Sequence, residues 1–204
     1  MKNSEHVVLV CGLNIRDQNR ITVPEQKLAL ASVASEAQLA RVVGDKGSYL
    51  IMSDHPDDGV VNLVLGALLA RRPDLKIPGA AITSSPVVAA ALNTLASTVV
   101  ARYGHQFSQH DHGIHIGQDV WRAGLCLPLF PSQVPANRTV FRKIKNAIVF
   151  GWASGCVLVA KREAKNVHWG GTVTGPASSQ VRLHEAVRIE FTSRSANVLR
   201  DLVG

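Results

Sequence analysis

Three short apolar runs, residues 7–13, 48–52 and 76–83, each stand upstream of a proline-marked helix start, at Pro24, Pro56 and Pro86. That alternation narrows the fold more than any other feature. A continuous apolar run of this length reads as a buried strand. Proline with a neighbouring acid suits a first helical turn, where the missing N–H costs nothing and the dipole favours negative charge. Glu25 follows Pro24, and Asp57 and Asp58 follow Pro56. The spacing predicts helices over 25–43 and 60–72, the first broken by Gly44-Asp45-Lys46-Gly47, and a third that Ser84-Ser85-Pro86 starts and that runs to Tyr103. The helix at 60–72 is apolar nearly all round and should pack across a sheet. The order βαβαβα gives a small sheet covered by helices, hence an α+β fold.

The second half is patterned differently. Residues 120–130 read as extended, 132–139 as a loop, and 139–145 as a short basic helix. Two apolar runs, 147–152 and 156–160, flank Ala153-Ser154-Gly155, a hairpin signal. A glycine-rich loop over 167–176, helical spacing over 178–187, a strand at 188–192 and a terminal helix over 195–202 complete the chain.

With 204 residues, 46% of them apolar and 18% charged, the chain has ample material for a core and excludes disorder or a coiled coil. One compact unit or two small lobes fit that length. The opening lacks the features of a secretory signal, and the longest apolar stretch, 60–70, is interrupted by Asn62 and is too short to span a membrane. Cys11, Cys126 and Cys156 lie inside apolar runs without paired spacing, as reduced core thiols would. A cytoplasmic protein without membrane association is expected.

Charge divides the chain near Gly104. Residues 1–104 hold 10 Lys/Arg and 9 Asp/Glu, whereas residues 105–204 hold 12 and 6. The domain reading follows: an N-terminal βαβαβα lobe over 1–104 and a basic C-terminal α+β lobe over 105–204. An anionic partner should meet the second.

Chemical motifs are sparse. His105, His110, His112 and His115 could converge on a metal, but a solvated inter-lobe loop accounts for them, and neither metal nor cofactor is expected. Asp54, His55, Asp57 and Asp58 are accounted for by capping and dipole compensation at the second helix. No nucleophile elbow, P-loop or dinucleotide fingerprint is present. Trp169, in the glycine-rich loop, could stack on a base. Arg138, Arg142, Lys143 and Lys145 surround Phe141, and Lys161, Arg162 and Lys165 form a second basic group, a pattern that neutralises phosphates without reading sequence.

Residues 8–15 have an apolar strand and a Gly-x-Asn turn, Gly12-Leu13-Asn14. They are followed by Asn19-Arg20-Ile21-Thr22-Val23-Pro24, a basic residue before a proline-started helix. This opening resembles that of a bacterial family, domain of unknown function 1697. Residues 191–202, with Thr192-Ser193-Arg194 before a final helix, resemble its closing segment. Arg16 and Asp17 stand where that family usually has glycines. The resemblance implies two small ferredoxin-like α/β sandwich lobes and carries no established activity.

The leading expectation is a non-enzymatic protein that binds single-stranded nucleic acid or a nucleotide through Arg138, Arg142, Lys143, Lys145 and Trp169, with Asn14, Arg16 and Arg194 as further ligand contacts. One alternative is a small-molecule enzyme with its site in an inter-lobe cleft near Asn14, Arg16 and Arg194. Another, motivated by the low charged fraction, is a structural protein or homodimer.

Overall fold

Successive residues of a strand point to opposite faces, and in β1 (Ser4–Val10) both faces are buried. Val8 and Val10 enter one core, Val7 and Leu9 another. The rest of the architecture follows from what covers each side. The structure is a computed structural model of the chain and describes residues 4–14, 19–104, 113–116, 118–129, 138–144, 147–162 and 189–204.

Around β1 lie α1 (Val23–Ala31), β2 (Gln38–Val42), β3 (Ser48–Ser53), α2 (Asp57–Arg71) and β4 (Ala80–Ser84). They form a four-stranded antiparallel sheet in the order β2-β3-β1-β4. This βαββαβ succession is the ferredoxin-like arrangement. Helices α1 and α2 cover the Val8/Val10 face through Leu30, Val60, Val64 and Leu68. Thr22 caps α1 in a reciprocal box: its hydroxyl accepts from Glu25 N, and the Glu25 carboxylate accepts from Thr22 N at 2.8 Å.

The other face of this sheet meets α3 (Ser85–Tyr103), whose stripe Val88, Ala91, Leu95 and Val99 is fully buried. Beyond it stands a second sheet, built from β5 (Gly113–Ile116), β6 (Asp119–Pro128), β7 (Arg138–Ile144), β8 (Ala147–Ala153), β9 (Cys156–Arg162) and β10 (Phe191–Ser195). It is antiparallel in the order β10-β6-β9-β8-β7, with β5 also paired to β6. The final helix, α4 (Ala196–Val203), joins α3 in the layer between the sheets through Leu199 and Leu202. Trp121, Leu125, Leu127, Ile148, Phe150 and Leu158 complete that shared core. The second sheet's far side is a smaller cluster of Cys126, Val149, Val157, Val159 and Phe191. The fold is α+β, and no described helix is long and apolar enough to cross a membrane.

Four expectations need correction. The helix expected over 25–43 ends at Ala31, and residues 38–42 are edge strand β2, held to β3 by a ladder with an irregularity between Leu39 and Arg41. The first lobe is therefore βαββαβ before α3 begins. The basic helix expected over 139–145 is strand β7, paired with β8. Residues 113–116, expected as loop, pair with β6. At α2 the N-cap is Pro56 without a side-chain cap bond, and Asp57 instead meets His6, Nδ1 to Oδ1 at 3.0 Å. The acids still sit where the dipole favours them.

Candidate nucleic-acid interface

The end of α3 and the strand β7 meet over an open groove of about 850 Å³ lined by Thr98, Arg102, Tyr103, Phe141, Lys143 and Phe150, among others. The pairing register decides who faces it. Lys143 lies opposite Ile148, which points into the shared core, so Lys143 and its alternate neighbour Phe141 sit on the α3 side. Arg142 lies opposite Val149, which belongs to the far-side cluster, and is carried to the other face of the sheet. The basic run read along the sequence is thus split by strand alternation. A helix would have kept it together.

In the groove, cations rest on rings. The Arg102 guanidinium carbon lies 3.1 Å from the Phe141 ring centroid. Lys143 Nζ lies 5.8 Å from the centroid of the Trp121 ring. Phe141 leans on Phe150 at 6.3 Å and stays 39% exposed, while Tyr103 meets Phe150 edge-on at 6.4 Å. No carboxylate is among the described lining residues. The surface therefore offers positive charge on and beside a part-exposed aromatic ring, a combination suited to a group that is both anionic and planar. Sequence reasoning missed Arg102, 39 positions before Phe141; its only signal was a basic residue in the last turn of α3.

Arg194 and Asn14 do converge, on backbone. Arg194 is 2% exposed. Its Nε donates to Ser48 Oγ at 2.8 Å, and its two terminal nitrogens donate to Thr192 Oγ1, Ser193 O, Val10 O and Lys46 O at 2.6–3.0 Å. All five N–H groups are engaged by the protein, which leaves none for a ligand. Burial lowers its pKa to about 10, and it remains charged at neutral pH. Asn14, at φ 50°, accepts from Ile21 N at 2.8 Å and donates to Ile21 O at 2.8 Å and Asp45 O at 2.6 Å. Lys46 donates to the Asn14 carbonyl, and Asn19 donates to Gly12 O and Lys76 O. Buried Gln26 ties Ile21 O and Asp45 O to the hydroxyl of Tyr49. These residues clamp the β1–α1 loop, the β2–β3 hairpin and the approach to β4. Asn14→Ala should cost about 2–4 kcal/mol, from the left-handed backbone and the orphaned Ile21 N–H, and Asn14→Gly about 1 kcal/mol less, by thermal denaturation.

Lys161, expected on the basic surface, is fully buried on the second sheet's far face and donates to Ser193 Oγ at 2.9 Å. Burial pushes its pKa down to about 8. Arg162 is exposed. Arg16, Lys145, Lys165, Trp169 and the histidines at 105, 110 and 112 lie outside the described residues, as do the side chains of Arg138 and His115. Among the described residues, no group of three His, Cys, Asp or Glu could hold a metal ion. The cysteines are free and buried.

No family model and no curated protein matches the sequence. Among solved structures, the chain is similar to a conserved bacterial protein, SP0830 from Streptococcus pneumoniae, at 11% identity and a TM-score of 0.49, over 98% of this chain and 97% of that one. The functional reading therefore rests on the groove.

Proposed function

We propose that the chain binds single-stranded nucleic acid or a nucleotide, without catalysis, in the groove between α3 and β7. One observation carries the reading: the Arg102 guanidinium lies over the part-exposed ring of Phe141, and Lys143 lines the same concavity, which is free of described carboxylates. Its volume, about 850 Å³, falls within the range of sites that enclose small ligands or a few units of a chain. A duplex keeps its bases stacked on each other, whereas a single strand can present a base to Phe141 and a phosphate to Lys143. The excess of positive charge in residues 105–204 adds attraction that falls off over a Debye length, about 8 Å at physiological salt.

Retardation of a labelled single strand at about 50 mM salt is the first test, since phosphate-driven binding is strongest there and weakens steeply as salt is raised. Lys143→Ala should lower affinity and reduce the salt slope by about 1. Arg142→Ala, on the opposite face of the sheet, should change affinity much less. Absence of retardation for any nucleic acid at low salt would sink the reading. An equal effect of the two substitutions would move the site away from the groove.

A further inference from the structure

We infer that Arg102 holds the stacking face of Phe141 and yields it to a nucleobase, its guanidinium then taking up the phosphate. The inference rests on the nucleotide-binding reading above and names the residue that makes the site selective for a base and phosphate joined in one molecule.

The geometry is that of an occupied stacking platform. At 3.1 Å from the ring centroid, the guanidinium covers the place on Phe141 that a base would use. A guanidinium is planar and always charged, so it matches a stacked base in shape while differing in what can replace it. Nothing else described fixes Arg102 there. It is exposed and has no ion-pair partner among the described residues. It also lies in the last turn of α3, where a cation is favoured whichever way the side chain turns. A cation over a ring at an exposed site contributes only about two- to fivefold to an equilibrium. Two charge-assisted bonds from guanidinium to phosphate are stronger and directional. A base on the freed ring contributes about five- to 150-fold.

Each half of a nucleotide alone is then a poor ligand. A nucleoside must displace Arg102 with nothing to receive it, and inorganic phosphate draws Arg102 away without filling the ring. A nucleotide does both, so base and phosphate should bind better together than their separate affinities predict. Lys143, near the Trp121 ring and likewise in the groove, can hold a neighbouring phosphate throughout and is not part of the exchange.

The experiment uses the intact chain with a fluorescein-labelled oligothymidylate, read by anisotropy, and three competitors: thymidine, thymidine monophosphate and inorganic phosphate. In wild type, thymidine monophosphate should compete far better than either fragment. Arg102→Ala uncovers the ring and removes the phosphate partner. Thymidine should then compete about two- to fivefold better and thymidine monophosphate about tenfold worse. Phe141→Ala should weaken thymidine and its monophosphate and let inorganic phosphate compete about two- to fivefold better, because Arg102 no longer leaves a ring to reach it. Circular dichroism and melting of each variant establish that the fold is intact. If wild type binds the oligothymidylate but Arg102→Ala leaves thymidine unchanged or weakened, the exchange is wrong and the groove reading stands. If wild type binds no oligothymidylate, the groove reading falls and takes the exchange with it.

Discussion

Arg194→Met is expected to remove about 3–5 kcal/mol of folding stability, a large share of the about 5–15 kcal/mol that holds an ordinary domain folded. The reason lies in what the guanidinium serves. It bonds Val10 O of β1, Lys46 O of the β2–β3 hairpin, Ser48 Oγ of β3, and Thr192 Oγ1 and Ser193 O of its own strand. Methionine fills similar volume without a single donor. Each acceptor that stays buried and unpaired costs about 1–3 kcal/mol, partly offset because no charge need then be desolvated. Arg194→Lys cannot restore the set, since one ammonium nitrogen cannot reach acceptors arranged around a planar fork. It should still lose about 2 kcal/mol or more. Chemical denaturation measures both, and a methionine variant within 1 kcal/mol of wild type would mean the fork is dispensable.

How far the sequence foretold this depends on the range of the interaction that decides each element. Helix α3 was legible to within a residue at its start, because Pro86 and the stripe from Val88 to Val99 are local signals. The β8–β9 hairpin was legible too, with Ser154 at φ 49° and Gly155 at φ 76° making the turn. Strand β2 was not. Gln38-Leu39-Ala40-Arg41-Val42 continues the alanine-rich pattern of α1, and only its ladder to β3 makes it extended. Strand β7 failed for the same reason, since β8 supplies its hydrogen bonds and thereby sends Lys143 and Arg142 to opposite faces. In the candidate site, Phe141 and Lys143 were legible as a basic-aromatic motif, whereas Arg102 needed the packing of α3 on the second sheet. Arg194 was visible as a cation near the C-terminus, but no local pattern reveals that acceptors from β1, the β2–β3 hairpin, β3 and its own strand enclose it.

Raising the pH should destabilise the chain through its buried thiols while a buried lysine works against them. Burial holds Cys126 and Cys156 up at about 12 and raises Cys11 and Tyr49 as well. An unfolded thiol releases its proton near pH 8.5. Above that pH the unfolded chain binds fewer protons than the native one, so stability present below pH 8.5 is lost as pH rises towards 12. By pH 10 the loss is about 2 kcal/mol per thiol, or about 4 kcal/mol for Cys126 and Cys156 together. Lys161 titrates in the opposite sense. With its pKa lowered to about 8 by burial, native Lys161 is neutral where an unfolded lysine, near 10.4, is still charged. Its contribution therefore grows from about pH 8 upward and reaches about 2–3 kcal/mol by pH 10. Wild-type stability should thus fall only modestly between pH 7.5 and 10. Lys161→Met should expose the full alkaline decline. Cys126→Ala with Cys156→Ala carries a pH-independent cavity cost but should stand about 4 kcal/mol better than wild type in the change between those two pH values. Urea denaturation across the range measures all three proteins. Parallel profiles for wild type and the double cysteine variant would show that the two thiols ionise alike in the folded and unfolded chains.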